Sequence, residues 1–121
     1  MEESLFDIWG NPVAYISYDN DNTIYMWDGR PVAYLEPTNT IYGFNGRHLG
    51  WFENGRVRNL NGEICGFNKM AADVYTGYEP YKAYKQYRPY RSYKEYPHYK
   101  PYFGYAKSNE SLAQFLIHGK A

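Results

Sequence analysis

Through residue 68 the chain alternates short apolar runs with tight polar breaks built on glycine. Runs of about five β-branched and aromatic residues are strand chemistry, and the breaks between them are turn chemistry. Aligned on glycine, four copies of one pattern emerge: Leu5–Ile16 around Gly10, Ile24–Leu35 around Gly29, Ile41–Phe52 around Gly46 and Val57–Asn68 around Gly62. The anchor glycines fall 19, 17 and 16 residues apart, and no copy needs an internal gap. Each copy is predicted to be a β-hairpin. Asp28-Gly29, Asn45-Gly46 and Asn61-Gly62 are dipeptides that tolerate positive φ at both central positions of a type I′ turn. Trp9-Gly10-Asn11 is a looser version. Asp19–Asn22, Glu36–Asn39 and Asn54-Gly55 read as connecting loops.

Equivalent positions sort by size. Four residues past each anchor glycine stand Ala14, Ala33, Gly50 and Gly66, all small; beside them stand Tyr15, Tyr34, Trp51 and Phe67, all aromatic. Ile8, Trp27, Phe44 and Leu60 precede the glycines by two. Small residues at one repeated place predict four backbones approaching closely around a common axis, with the aromatics supplying burial. An isolated hairpin is marginal in water, so the four must pack together. The expectation is an all-β head, pseudo-fourfold, over residues 1–75.

The segments Gly29-Arg-Pro-Val-Ala-Tyr34 and Asn45-Gly-Arg-His-Leu-Gly-Trp-Phe-Glu-Asn-Gly55, set in four tandem copies, resemble the bacterial four-fold β-flower family. Members of that family often carry a proline-rich tail of period three and end on a short segment like Glu-Gln-Phe-Leu. Ser111-Leu-Ala-Gln-Phe-Leu116 stands in that place, so the resemblance covers nearly the whole chain. The tail departs from it, repeating Tyr where the family has Pro and Ile. The resemblance implies the fold and supplies no catalytic residue, since the family has no established activity.

From residue 78 the period changes to three. Tyr78, Tyr81, Tyr84, Tyr87, Tyr90, Tyr93, Tyr96, Tyr99, Tyr102 and Tyr105 recur without a miss. Strands have period two and α-helices 3.6, so neither fits. Polyproline II, with three residues per turn, sets all ten along one edge, and Pro80, Pro89, Pro97 and Pro101 suit it. The next edge is cationic: Lys82, Lys85, Arg88, Arg91, Lys94 and Lys100. The third is thin, with Pro80, Ala83, Gln86, Pro89, Ser92, Glu95, His98 and Pro101. A disordered low-complexity tail is the alternative; order throughout predicts that the tyrosines are packed on something. Residues 76–107 thus form the expected extended tail. In residues 108–121, Ser111 to Gln114 has capping-box spacing. Leu112, Phe115 and Leu116 then make one apolar face of a short docking helix, with Gly119 as its stop.

The 13 basic and 13 acidic side chains cancel, but they are not evenly spread. Residues 1–77 carry −5 and residues 78–107 carry +5, so an acidic head faces a basic tail. A straight rod of 28 residues reaches about 85 Å, several times the roughly 25–30 Å of such a head. The rod must therefore fold back or lie across neighbouring subunits, and the charge complementarity favours neighbours. The acidic start Met1-Glu2-Glu3-Ser4 is unlike a secretory signal. That leaves synthesis in the cytoplasm as the expectation and the final location open. With one cysteine, neither an internal disulfide nor a cysteine zinc cage is expected. Mean hydropathy of −0.75 and no apolar run of membrane length predict no membrane span.

No catalytic motif, metal site or cofactor signature is visible. His48, His98 and His118 lie in separate contexts. Cys65 stands where other copies have Val13, Val32 and Leu49 and reads as a core residue. Asp7, Asp19, Asp21 and Asp28 include no persuasive acid–base pair. The function expected is non-enzymatic: a self-assembling structural protein, a homo-oligomer or filament subunit, whose tail packs on neighbouring heads. The alternative is a binding module whose basic aromatic tail engages nucleic acid or another polyanion. A minor alternative is a surface adhesion protein.

Overall fold

Each glycine-centred copy forms two short antiparallel strands, as its alternation of apolar residues demands. The computed structural model describes residues 1–121. Its strands are β1 Glu2–Asp7, β2 Pro12–Ser17, β3 Thr23–Met26, β4 Pro31–Leu35, β5 Thr40–Gly43, β6 His48–Glu53, β7 Arg56–Asn59 and β8 Ile64–Phe67. Sequential strands pair antiparallel and β8 returns to β1, closing an eight-stranded barrel with no free edge. The four copies therefore pair with one another as well as within themselves. Their glycine turns share one end of the barrel and the connecting loops share the other.

The glycine turns differ from the type I′ geometry expected of them. Gly10, Gly29, Gly46 and Gly62 have positive φ, but Asp28, Asn45 and Asn61 do not. Gly29 N–H donates to Met26 O at 2.9 Å and Met26 N–H to Arg30 O at 2.9 Å; the same pair of bonds recurs at the other three turns. A register shift accompanies each. This is the three-residue turn with a glycine bulge. Turns with both central residues at positive φ lie instead between the copies, at Asn54-Gly55 between β6 and β7 and at Asp21-Asn22 before β3.

Inside the barrel sit Leu5, Ile16, Ile24, Leu35, Ile41, Phe52 and Val57, with Leu112, Phe115 and Leu116 from helix α1, Leu112–Ile117, packed among them. The helix is a plug for its own barrel, held at its start by the Ser111–Gln114 capping box. The repeated small residues make room for it. A Cβ at Gly50 would stand 1.9 Å from the Arg58 carbonyl oxygen of the next strand and 3.0 Å from the Phe115 ring, and one at Gly66 2.4 Å from Phe6 O and 2.9 Å from Leu112, so close backbone approach and the helix both require small residues there. Past the helix, Gly119 lies so close to Gly43 that a Cβ on Gly43 would be 2.1 Å from the Gly119 Cα.

Cys65 belongs to this core, 1% exposed. Burial pushes its thiol up to about 12. At pH 8 the native thiol should react with iodoacetamide at least roughly a hundredfold more slowly than in denaturant, because the thiolate is the nucleophile. Comparable rates would place Cys65 outside the core.

Candidate interaction surface

On the outer wall, the strand junctions between copies carry paired large side chains in direct register: Tyr15 with Tyr25, Tyr34 with Tyr42, Trp51 with Arg58, and Phe67 with Phe6. Tyr15–Tyr25 and Tyr34–Tyr42 are stacked at 5.7 and 6.2 Å. Trp27 and Phe44 flank them. The first three patches are the ground on which the tail lies; Ile8, Ala71 and Ala72 cover the fourth.

The tail runs without helix or strand along the chain's own barrel, visiting the hairpins in order at intervals of nine residues. The carbonyls of Tyr75, Tyr84 and Tyr93 press on the turn glycines, where a Cβ on Gly10, Gly29 or Gly46 would be 1.9, 2.0 or 2.1 Å away. At the fourth turn, Tyr102 O is 2.9 Å from the Cβ position of Gly62. Gly77, Gln86 and Glu95 N–H groups donate to the carbonyls of Gly10, Gly29 and Gly46 at 2.8–2.9 Å. Ala83 and Ser92 N–H groups donate to Trp27 O and Phe44 O at 3.0 and 2.8 Å. Pro101, next in the series, has no N–H; there the Arg58 guanidinium bonds both Gly62 O and Gly104 O. The chain then pairs with Ile64 through Ala106 and Ser108 before entering the barrel as α1.

The thin edge thus meets the barrel, and the cationic edge lies across its wall. Lys82 sits over Tyr15 and Trp27, Lys85 over Tyr15 and Tyr25, Arg91 over Tyr34 at 3.7 Å and Lys94 over Tyr42 at 5.4 Å. At the third patch the partners exchange sides. Arg58 of the barrel lies 4.7 Å from the tail ring of Phe103, which Lys100 also covers. Such contacts are worth about 0.5–1 kcal/mol when exposed. The tips reach carboxylates: Lys82 and Lys85 share Glu2, Arg88 takes Asp21, Lys94 takes Glu36 and Lys100 takes Glu53. Lys85 draws the Glu2 carboxyl pKa downward against the effect of burial, and Glu2 raises that of Lys85. The acidic head and basic tail satisfy each other within one chain. Neighbours were favoured on the premise of a straight rod, but the tail curves.

The tyrosines were expected to be packed, and they are not. Tyr78 through Tyr105, at every third position, are between 82% and 101% exposed. They form an outward crest on a tail whose other two edges hold the barrel. Leu112, Phe115 and Leu116 do dock, on their own barrel. Between the second and third hairpins the tail bridges an open groove of about 920 Å³ that includes Asp21, Tyr25, Phe44, Arg88 and Arg91.

Two of the three histidines come together. The His48 and His98 rings are 5.5 Å apart, and the His98 backbone N–H donates to His48 Nδ1 at 2.8 Å. Sequence reading kept them apart, though a signal existed: both stand where earlier copies have proline, Pro12 and Pro31 in the head and Pro80 and Pro89 in the tail. His118 instead meets Glu110 at 2.5 Å. No group of three or more His, Cys, Asp or Glu is arranged to hold a metal ion. No helix is long and apolar enough to cross a membrane.

The arrangement defines a class: small β-barrels of four glycine-turned hairpins around one axis. A family model described as 4-fold beta flower protein matches residues 3–116, and the chain belongs to that family. The family is a small β-barrel domain with no known catalytic activity. No curated protein and no solved structure matches the chain significantly.

Proposed function

We propose that the protein is a non-enzymatic structural subunit that self-associates through its tyrosine crest. The observation that carries this is the exposure of ten tyrosines on one edge of an ordered tail. At about 150–250 Å² each they offer roughly 2,000 Å² of aromatic surface, against about 300–600 Å² for the largest apolar patch of a typical monomer. Four or five of them would supply the roughly 800 Å² per partner of a standard interface. The inner edges fasten the tail to its own barrel, which leaves the crest for neighbours and removes the entropic cost of ordering a free arm.

A polyproline II rod is the conformation this reading assigns to the tail. Three turns of three residues match the nine-residue docking interval. Residues 75 to 102 would extend about 84 Å over three quarters of a circuit, a radius of about 18 Å. That equals the half-width expected of the head plus half the thickness of a tail. The polyanion reading is weakened because the cationic edge is turned to the barrel and its charges are paired there.

The test replaces Tyr81, Tyr84, Tyr87 and Tyr90 together by Ser. Exposed substitutions cost little, within about 0.5 kcal/mol each, so circular dichroism and thermal stability should hardly change. Light scattering should show the parent chain as an oligomer and the variant as a monomer or a smaller species. A parent that stays monomeric at about 100 μM, too dilute only for contacts in the weak affinity range, sinks the reading. A variant that assembles as before does the same.

A further inference from the structure

At the first two hairpins the residue two past the turn glycine is proline, Pro12 and Pro31, and so is the tail residue three beyond the docked N–H, Pro80 and Pro89. Pro89 has no N–H and requires no acceptor. At the third hairpin both positions change at once, to His48 and His98, and the two are bonded: His98 N–H to His48 Nδ1, 2.8 Å. The other ring nitrogen, Nε2, lies 3.1 Å from Gly50 O. Since Nδ1 accepts, the proton of the neutral ring sits on Nε2 and is donated to that carbonyl. The ring is 2% exposed, set edge-on against Trp51 at 4.7 Å and tilted on Tyr42 at 5.4 Å.

A second proton on His48 can go only to Nδ1, where it would oppose the His98 N–H, donor against donor. It would also place a charge on a ring enclosed by aromatic faces. The ionisable groups around the ring come from the tail, the neighbouring strand and the barrel end. Glu95 accepts the His48 backbone N–H at 2.7 Å and lies 3.6 Å from His98 Nε2. The Tyr42 hydroxyl donates to Glu95 O at 3.0 Å. Arg47, Glu110 and His118 line the shallow groove on the other side. Burial, with a smaller push from His98, opposes a charged His48 and outweighs the Gly50 hydrogen bond and Glu95, which favour it, so the ring's pKa is drawn below its ordinary value.

We propose that His48 and His98 form an acid-released latch, which holds the third quarter of the tail against the barrel at neutral pH and frees residues 92–100 when His48 is protonated. The sign follows from the direction of the shift. A histidine held below its unfolded value stabilises the docked state fully above about pH 6.5; that contribution is lost as pH falls through the lowered value. The second-hairpin dock, with Pro31 and Pro89, has no such group and stays closed. Release would uncover the aromatic face of Tyr42, which Lys94 and Glu95 cover at neutral pH. The latch does not depend on the tyrosine crest being an interface.

Amide hydrogen exchange on the full chain tests it, with the second-hairpin dock as internal control. Between pH 7.5 and 5, protection factors at Ser92, Glu95 and His98 should fall at least tenfold relative to those at Ala83 and Gln86. The paired variant His48→Pro with His98→Pro copies the second hairpin and should abolish the difference. Glu95→Gln should keep it. Parallel loss of protection at both docks overturns the latch, as does an unchanged pH response in the paired proline variant. Should that variant not fold, the imidazole proton shifts of the wild type decide. If His48 titrates without moving the His98 amide, the latch does not exist.

Discussion

Replacing Phe115 by Ala should lower stability by about 3–5 kcal/mol, and Leu116→Ala by about 2–5 kcal/mol. Both side chains lie inside the barrel, 2% and 0% exposed, among Leu5, Ile16, Ile41 and Val57. For a chain of this length that is a fall in Tm of roughly 10–20 °C. It is a large share of the roughly 5–15 kcal/mol a domain holds in reserve. A chain ended after Lys107 loses Leu112 as well, and its barrel should then bind a hydrophobic dye and melt without a sharp transition. The glycine and alanine positions that accommodate the helix cannot close the void, because no side chain there is long enough to fill it. Ile117, on the same helix but 41% exposed, is the control: Ile117→Ser should shift the midpoint by no more than about 2–4 °C, as a change of around 0.5 kcal/mol does. Equal melting of the full and shortened chains would show that the helix contributes nothing to the barrel.

The paired substitution Gly29→Ala with Gly46→Ala should detach the tail while leaving the plug in place. Each glycine has φ near +90°, which costs an L residue about 1–2 kcal/mol. Each also lies under a tail carbonyl that a methyl group would strike, Tyr84 O or Tyr93 O. Lifting the carbonyl breaks the two flanking hydrogen bonds at that hairpin, about 1 kcal/mol apiece. The expected total is about 3 kcal/mol per site, with the losses at two well-separated sites adding. Trypsin should then cut at Lys85, Arg91 or Lys94 many times faster, while the barrel resists. Unchanged cleavage would mean that the tail does not rest on those glycines.

The hairpins were legible in sequence because their determinants are local. Alternation sets the strands, and glycine sets the turns. The turn type was missed because a type I′ turn and a three-residue turn with a glycine bulge both place glycine last; only the neighbouring φ separates them, and Asp28 or Asn45 tolerates either. The small positions Gly50 and Gly66 do mark a close approach of backbones, since a Cβ there would be 1.9 Å from Arg58 O and 2.4 Å from Phe6 O; that they also border Phe115 and Leu112 depends on a helix far away in sequence, which no local pattern reveals. Period three revealed which tail residues share an edge but not which edge faces inward. Tyrosine is the more apolar choice, yet Lys85 and Arg91 face the wall. The reason lies on the barrel side: Tyr25 and Tyr34 already present aromatic faces there, with Glu2 and Glu36 beyond them, so a long cation satisfies both at once. The His48–His98 contact depends on that facing and became visible only with it.

Nine tail residues serve one hairpin, and this ties two distant parts of the gene to one length. An insertion of three in the tail would keep tyrosine on its edge but move every later carbonyl off its glycine. An insertion of one or two would rotate the edges as well, turning phenols onto the barrel and cations away from it. Nine residues, or a multiple, are the neutral step, and only if a hairpin is gained or lost together with them. Duplication of a petal by itself would leave the terminal helix short of the barrel it must fill. The fourfold number is therefore fixed jointly by head and tail, and neither can drift without the other.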